Sequence, residues 1–328
     1  MAGAPASGAC VIRTLTLLAL LLSTATGAAA ETRWAIIVSG ASGGPKYAEQ
    51  MRAWREGLKA ALVDRYGFDA AHVRLLVDET VKTGDAATAE NVRRVIGEVR
   101  TGGAKDDFVL LVLLGHGTFD GDVAKFNLVG PDLSAKEWTD LLGGLPGHLV
   151  AVNTTEASFP FLAALAAKGR VVITATDSPA QKYATMFPEF FVKAMREASS
   201  DLDKNGRTSI FEVFTATSQA VKQYYEQKGQ LATERSLIDD NGDGVGREAD
   251  AQGPDGGLAR LSYLDADAAI DAANPELAAL LRKRRQLEGA AEELKLKKDE
   301  MPDAEWRAQF EKLMIELAQV SQQIRQKT

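Results

Sequence analysis

A run of seven apolar residues, Phe108-Val-Leu-Leu-Val-Leu-Leu114, follows Asp107 and ends at Gly115. The run does not alternate between apolar and polar residues, which is typical of a strand that is buried on both faces. Strands of this kind occur in parallel sheets that are covered by helices. The run therefore predicts a strand of a parallel sheet inside an α/β domain.

Similar short apolar runs lie on either side of it and alternate with amphipathic segments of helical spacing. This alternation predicts a mostly parallel sheet with helices on both faces. In such sheets the functional site lies at the carboxyl ends of the strands. The expected strands are 34–39, 72–77, 107–114, 148–153 and 170–175, and the expected helices are 47–66, 88–100, 135–142, 161–167, 187–198 and 210–228.

Composition narrows the class of protein. The chain has 328 residues, of which 45% are apolar and 25% charged, with a formal net charge of −7. These values are typical of a folded protein with one large domain or two ordinary ones. Because the chain is acidic and has no long basic run, we expect no nucleic-acid partner.

The first thirty residues have the pattern of an export signal. Arg13 precedes the apolar stretch 15–22, and the small residues Ala28-Ala29-Ala30 follow it. This order predicts a signal peptide over 1–30 and a periplasmic or secreted protein without a stable transmembrane segment; the alternative is a retained N-terminal anchor. The one cysteine, Cys10, would be removed with the signal, which excludes disulfides and a cysteine nucleophile in the mature chain.

Three strand ends carry residues suited to chemistry: 40–44, Gly115-His116-Gly117 and 153–158. An imidazole after one strand and a hydroxyl after its neighbour can form a nucleophile–base pair. The flanking glycines let backbone amides approach a substrate closely. The alternative is a turn histidine whose ring lies in solvent.

The motifs at these ends resemble those of the legumain-like peptidases and of the catalytic subunit of the glycosylphosphatidylinositol transamidase. They read Trp34-Ala-Ile-Ile-Val-Ser-Gly40, Leu113-Leu-Gly-His-Gly117 and Val152-Asn-Thr-Thr-Glu-Ala157, and the similarity covers about 33–194. The resemblance implies a caspase-like sheet and a peptidase site. It implies that His116 matches the catalytic histidine, that Gly117 offers its amide to an oxyanion hole, and that Thr155 replaces the nucleophilic cysteine; a shift of the alignment by one residue would place Thr154 there instead.

This replacement favours a degenerate peptidase that acts by binding. A mid-chain threonine lacks the adjacent base that activates known threonine nucleophiles. Ala48 and Glu49 stand where legumains use a basic residue to hold the substrate side chain. The alternatives are an active peptidase or transpeptidase that uses Thr155 with His116, and a calcium-dependent structural or assembly module.

The segment 201–212 fits a twelve-residue calcium loop at each ligand position, with Gly206 at the sharp bend. It lies between two predicted helices, as such loops do; the alternative is a polar turn. The predicted Ca²⁺ ligands are Asp201, Asp203, Asn205, the Arg207 carbonyl, Ser209 and Glu212.

The segment 239–250 repeats the first half of this pattern. Its candidate ligands are Asp239, Asn241, Asp243 and Asp250, although an aspartate closes the loop less well than a glutamate. An Asp- and Gly-rich surface loop fits the sequence equally well.

A change of composition at Asn274 marks a second part of the chain. Apolar residues recur from Trp306 to Ile324 in steps of four and three, which predicts a coiled-coil-type helix, and Pro302 separates it from a preceding helix. The sequence thus predicts an α/β domain over 31–270 and a helical hairpin over 274–328. A peptide or protein partner would bind in the cleft or through this hairpin.

Overall fold

The computed structural model describes residues 31–78, 85–181, 183–265 and 275–327, together with Met1 and Gly3. Contacts divide the chain into Met1–Ala30 and Glu31–Thr328, and each element below belongs to the second unit. Apart from Met1 and Gly3, the predicted signal peptide, with Cys10, lies outside the described residues. So do residues 266–274, which include the predicted junction between domain and hairpin.

Most strands and helices of the second unit alternate along the chain, and its last three elements named below are helices. The strands are β1 (Arg33–Ser39), β2 (Val73–Val77), β3 (Asp85–Ala86), β4 (Phe108–Leu114), β5 (Gly117–Phe119), β6 (Ala124–Phe126), β7 (Leu133–Ser134), β8 (His148–Asn153), β9 (Arg170–Thr174) and β10 (Leu237–Asp239). The helices are α1 (Pro45–Ala60), α2 (Ala89–Gly102), α3 (Ala135–Leu142), α4 (Phe159–Leu165), α5 (Phe187–Arg196), α6 (Ile210–Gln227), α7 (Gly257–Leu261), α8 (Pro275–Leu296) and α9 (Asp303–Arg325).

The central sheet has the strand order β10-β9-β8-β4-β1-β2-β3 over the described residues. Neighbouring strands run parallel except β10, which is antiparallel to β9. The predicted mostly parallel sheet of an α/β protein is thus confirmed. Ser39 pairs with Leu114, and Leu113 pairs with Asn153, so the carboxyl ends of β1, β4 and β8 lie side by side.

Each face of this sheet packs against its own group of helices. Ile37 belongs to an apolar cluster with residues of α1, α5 and α6, while Ile36 and Val38 belong to a second cluster with residues of α2, α3 and α4. Because β1 and β4 are covered on both sides, all their residues are buried. This explains why the run Phe108–Leu114 is apolar throughout.

A smaller antiparallel sheet of β5, β6 and β7 follows His116. The backbone N–H of Asn127 donates to the His116 carbonyl at 3.0 Å, which holds this sheet against the end of β4. The sequence analysis did not predict these strands. Each has only two or three residues, too few to produce an alternating pattern.

Helices α8 and α9 pack against each other through Leu287, Val320 and Ile324, with Leu313 and Leu317 at the margin. The hairpin also contacts the α/β part, where Arg284 Nη2 donates to the Asn205 carbonyl at 2.5 Å. In the described part of the chain, no helix combines the length and apolar character needed to cross a membrane.

Candidate functional site

The loops after β4 and β8 bring His116 together with Glu156. His116 Nδ1 lies 3.3 Å from Glu156 Oε1, and the two side chains are 19% and 15% exposed. Both residues therefore remain accessible from solvent while they form an ion pair whenever the imidazole is protonated. The sequence analysis included Glu156 only as part of a motif, because nothing in the linear sequence shows which side chain will face His116.

The surroundings of His116 favour its protonated form. The hydrogen bond with Glu156 raises the pKa of His116, and the negative charge of Glu156 and a hydrogen bond with the Ser42 backbone act in the same direction. Burial opposes them without reversing the shift. The ring of Tyr47 meets the imidazole edge-on, with 4.7 Å between the centroids. A histidine held in this way is oriented, and its protonated form is favoured relative to that of a free imidazole.

Thr155 does not have the accessible, hydrogen-bonded hydroxyl that a nucleophile needs. Its side chain is fully buried, and Oγ1 has no hydrogen-bond partner among the residues that the structure describes. A Cβ at Gly117 would lie 2.7 Å from Thr155 Oγ1, so this position admits only glycine next to the hydroxyl. The structure thus brings Thr155 against Gly117 and shows no hydrogen bond between Thr155 and His116 in its described part.

The neighbouring Thr154 is also fully buried, but its hydroxyl is used. Thr154 Oγ1 donates to the Leu113 carbonyl at 2.8 Å, and Thr185 Oγ1 donates to the Thr154 carbonyl at 2.5 Å. Thr154 therefore joins the ends of β4 and β8. Its hydroxyl is therefore used in a hydrogen bond within the sheet and is not available in the cleft.

Several buried polar atoms without partners lie at this edge of the sheet. Within the described ranges they include Ser39 Oγ at the end of β1, Asn153 Nδ2 at the end of β8, and Glu156 Oε2. Such groups cost free energy in a folded protein unless water or a ligand satisfies them. Their position indicates that the carboxyl edge is suited to binding a polar ligand.

The predicted calcium loop also forms a cluster. One carboxylate oxygen from each of Asp201, Asp203 and Glu212 lies within 4.8 Å of the others. Burial raises the pKa of Asp203, and the charges of Glu212 and Asp201 act in the same direction. A divalent cation would relieve this repulsion.

The rest of this loop is arranged by its own polar groups. Asp201 accepts hydrogen bonds from the N–H groups of Asn205 and Gly206, and Asn205 Oδ1 accepts from the Arg207 N–H. Ser209 caps α6 together with Glu212, whose second oxygen accepts from the Ser209 N–H and hydroxyl. Hydrogen bonds within the loop thus link Asn205 to Asp201 and Ser209 to Glu212.

The loop that begins at Asp239 has the same internal bonds at its start. Asp239 accepts from the N–H of Gly244, as Asp201 does from Gly206, and Asp243 Oδ1 accepts from the Val245 N–H. Asn241 donates through Nδ2 to Asp243 Oδ2. Two predicted residues of this loop, Asn241 and Asp243, are thus hydrogen-bonded to each other, while Asp250 is exposed at its far end.

The carboxylate that binds the start of this second loop belongs to Asp255 and not to the predicted Asp250. Asp255 Oδ1 accepts from the N–H groups of Asp240 and Asn241, as Glu212 Oε1 does from Leu202 and Asp203. Burial raises the pKa of Asp255 to about 6. The sequence analysis missed Asp255 because the calcium-loop pattern counts twelve positions and Asp255 lies beyond them.

In comparisons with known proteins, the chain matches no protein-family model and no curated protein.

Proposed function

We propose that this protein is an exported, catalytically degenerate member of the legumain-like, caspase-fold peptidases that binds peptide segments in the cleft around His116. The observation that carries the proposal is the pairing of His116 with Glu156 at 3.3 Å while the Thr155 hydroxyl is buried without a partner. An oriented histidine is thus present where the proposed peptidase site would need its base. The group at the nucleophile position is out of reach of a substrate carbonyl.

The arrangement of the strands supports the comparison with this family. The loops after the adjacent strands β4 and β8 carry the histidine and the threonine, in the order that the motifs imply. Accessible His116 and Glu156 offer hydrogen bonds of both polarities to a peptide backbone. Buried polar atoms at the same edge favour binding of a polar ligand there.

The alternative activity is a peptidase or transpeptidase with Thr155 as nucleophile and His116 as base. A base must lie within hydrogen-bond distance of the proton that it accepts, directly or through one water molecule. The full burial of Thr155, whose hydroxyl has no hydrogen-bond partner among the described residues, counts against this activity.

A second candidate function is calcium binding at 201–212, favoured by the three carboxylates within 4.8 Å of one another. Asp201, Asp203, Asn205 and Glu212 supply oxygen ligands of the kind that Ca²⁺ prefers. A bound Ca²⁺ would join α5 and α6 to the hairpin, because Arg284 contacts the carbonyl of Asn205. The protein would then be a calcium-dependent structural or assembly module, with the coiled-coil-type hairpin as a second partner surface.

Selection of random nonapeptides displayed on phage tests the peptide-binding proposal. Enriched peptides should bind the wild type and lose at least about tenfold in affinity for His116→Gln, because a charge-assisted hydrogen bond is removed. His72→Gln is the matched control, since His72 precedes β2 and lies at the opposite end of the sheet. Equal binding to both variants would contradict a cleft at His116.

A further inference from the structure

A cavity of about 490 Å³ lies at the amino ends of the strands, where α7 and α8 cover the sheet. The first residues of β1, β4 and β8, which are Arg33, Phe108 and His148, line it together with Ser262 at the end of α7. Its volume falls within the roughly 300–1,000 Å³ that is typical of small-molecule sites. His116 follows the carboxyl end of β4, so this cavity is separate from the cleft described above.

His148 and Ser262 meet at this cavity. The distance between His148 Nε2 and Ser262 Oγ is 2.6 Å, and His148 Nδ1 lies 3.1 Å from the Gly169 carbonyl oxygen. A carbonyl oxygen only accepts hydrogen bonds, so the neutral ring carries its proton on Nδ1 and presents the lone pair of Nε2 to the serine hydroxyl. A hydroxyl beside a base that a third group orients is the arrangement of an activated nucleophile.

The hydroxyl of Ser262 has two acceptors and one proton. Its second acceptor is the Leu258 carbonyl oxygen at 2.7 Å, so the proton is shared between this oxygen and His148 Nε2. Burial lowers the pKa of His148, although the hydrogen bond with Gly169 and the charge of Asp240 act in the opposite direction. The imidazole is therefore held in the neutral form, which is the form that accepts a proton.

Ser262 differs in these respects from Thr155. Ser262 is 3% exposed and lines a cavity, whereas Thr155 is fully buried. The hydroxyl of Thr155 has no hydrogen-bond partner among the residues that the structure describes, while that of Ser262 has a base within reach. A base within hydrogen-bond distance is the geometric condition for proton transfer.

The lining of the cavity carries charges of both signs. It includes the cations Arg33, Arg207 and Arg282 and the acids Glu31, Asp106 and Glu293. A cation stabilises the oxyanion that forms when a hydroxyl attacks a carbonyl carbon. Because acids line the same space, the cavity favours a substrate that has no net charge.

We propose that Ser262 and His148 form an acyl-transfer site for uncharged, short-chain carboxylic esters. Ser262 Oγ attacks the ester carbonyl carbon while its proton passes to His148 Nε2. The bond to the alcohol oxygen then breaks, and the alcohol leaves with that proton. Water, deprotonated by His148, hydrolyses the acyl-serine and releases the carboxylic acid. Esters are favoured over amides because a carbonyl, unlike the carboxylate of a catalytic triad, brings no negative charge to the imidazolium.

Diisopropyl fluorophosphate, which is small and uncharged, probes this site in the full-length protein. Attack by Ser262 forms an Oγ–P bond and releases fluoride, so mass spectrometry should find one adduct and place it on Ser262. His148→Gln should be labelled at least about a hundredfold more slowly, because the base is lost. Ser236→Ala is the matched control: it removes a buried serine whose partner is Ser218, and it should be labelled like the wild type.

A second pair of variants leaves the serine and the histidine in place. Gly289 of α8 lines the cavity, and a Cβ there would lie 4.0 Å from Leu261 Cδ2, so a side chain fits. Gly289→Phe should fill the cavity and slow the labelling at least about tenfold, whereas Gly289→Ala should be labelled like the wild type. Labelling at another residue, or equal rates for the wild type, His148→Gln and Gly289→Phe, would overturn the proposal.

Hydrolysis of 4-nitrophenyl butyrate tests the substrate class. The wild type should release nitrophenol at least about a hundredfold faster than Ser262→Ala, and 4-nitrobutyranilide, the matching amide, should stay intact. His116→Gln should hydrolyse the ester like the wild type, which separates this site from the cleft. Equal ester hydrolysis by the wild type and Ser262→Ala would overturn the proposal and leave the peptide-binding function untouched.

Discussion

At the scale of single residues, the two threonines at the end of β8 differ in one hydrogen bond. Thr154 Oγ1 donates to the Leu113 carbonyl, whereas Thr155 Oγ1 has no partner in the described part of the chain. Thr154→Val should therefore lower the free energy of unfolding by about 1 kcal/mol. Thr155→Val should leave it unchanged or raise it, because valine has the same shape and no unsatisfied hydroxyl.

Urea denaturation of both variants measures this difference. Each threonine is the control for the other, since both are fully buried and adjacent in the chain. A loss of about 1 kcal/mol in Thr155→Val would mean that its hydroxyl is hydrogen-bonded, and this would reopen a catalytic role for it.

Glu156 should set the protonation of His116. Glu156→Gln removes the largest cause of the raised pKa, so the pKa of His116 should fall towards or below its ordinary value near 6.5. A raised histidine pKa stabilises the fold at pH values below that ordinary value, and the contribution is lost as the pH rises through the raised pKa. Glu156→Gln should therefore cost more stability at about pH 5.5 than at about pH 8.5.

NMR titration of the imidazole signals checks this expectation. Glu90→Gln, an exposed change on α2, should leave the titration of His116 as it is in the wild type. An unchanged pKa of His116 in Glu156→Gln would show that the two side chains do not interact in solution.

The sequence predicted His116 at its strand end because a glycine-flanked histidine after a buried strand is visible in the residue order. It did not predict the burial of Arg55. A charged residue on a helix is usually exposed, and only the fold shows that Arg55 lines up with Met51 and Leu58 towards the sheet. Side-chain pairs between distant loops, such as His116 with Glu156, depend on sheet order, which local patterns do not specify.

At the scale of elements, the loop 201–212 and the start of α6 form one unit. Glu212 both caps α6 and contributes to the carboxylate cluster. Calcium at a hundredfold excess over its dissociation constant should raise the free energy of unfolding by about 2.7 kcal/mol. Glu212→Gln should abolish most of this gain, since the bidentate ligand is lost.

The capping role of Glu212 has a matched control in α3. Ser134 and Glu137 form the same reciprocal cap there, so Glu137→Gln makes the same charge change in a cap without touching the cluster. Calorimetric titration with calcium should distinguish the two variants, with Glu137→Gln binding like the wild type. If Glu212→Gln also binds like the wild type, the loop is a polar turn.

The observed bounds of the long strands and helices are close to the predicted ones, whereas several short strands were not predicted. The strand His148–Asn153 and the helix Ala135–Leu142 have the predicted bounds because apolar runs and the Ser134 cap mark their ends. The strands β3, β5, β6 and β7 have two or three residues each. Their pairing is imposed by the surrounding chain, so the local sequence contains little signal for them.

At the scale of the whole molecule, α9 is expected to be held by its apolar stripe. Leu313 and Leu317 pack at the margin of the cluster with Val320 and Ile324. Replacing both leucines by Asp should lower the free energy of unfolding by more than about 2 kcal/mol, because two charges would be placed in an apolar contact. Limited proteolysis should then cut within α9.

The control lies on the same helix. Met314 and Ile315 are 43% and 52% exposed, so Asp at these two positions should leave the thermal melt and the proteolysis pattern nearly unchanged. Equal behaviour of the two double variants would mean that the leucine stripe does not hold α9.

The central claim, that the peptidase site is degenerate, is tested most directly by hydrolysis of fluorogenic peptides with Asn, Asp or Arg at the reporter bond. The wild type, Thr155→Ala and His116→Ala should all show the rate of the buffer blank, because the Thr155 hydroxyl is buried and unpaired. Turnover by the wild type that disappears in both variants would contradict the claim and establish Thr155 and His116 as a working pair.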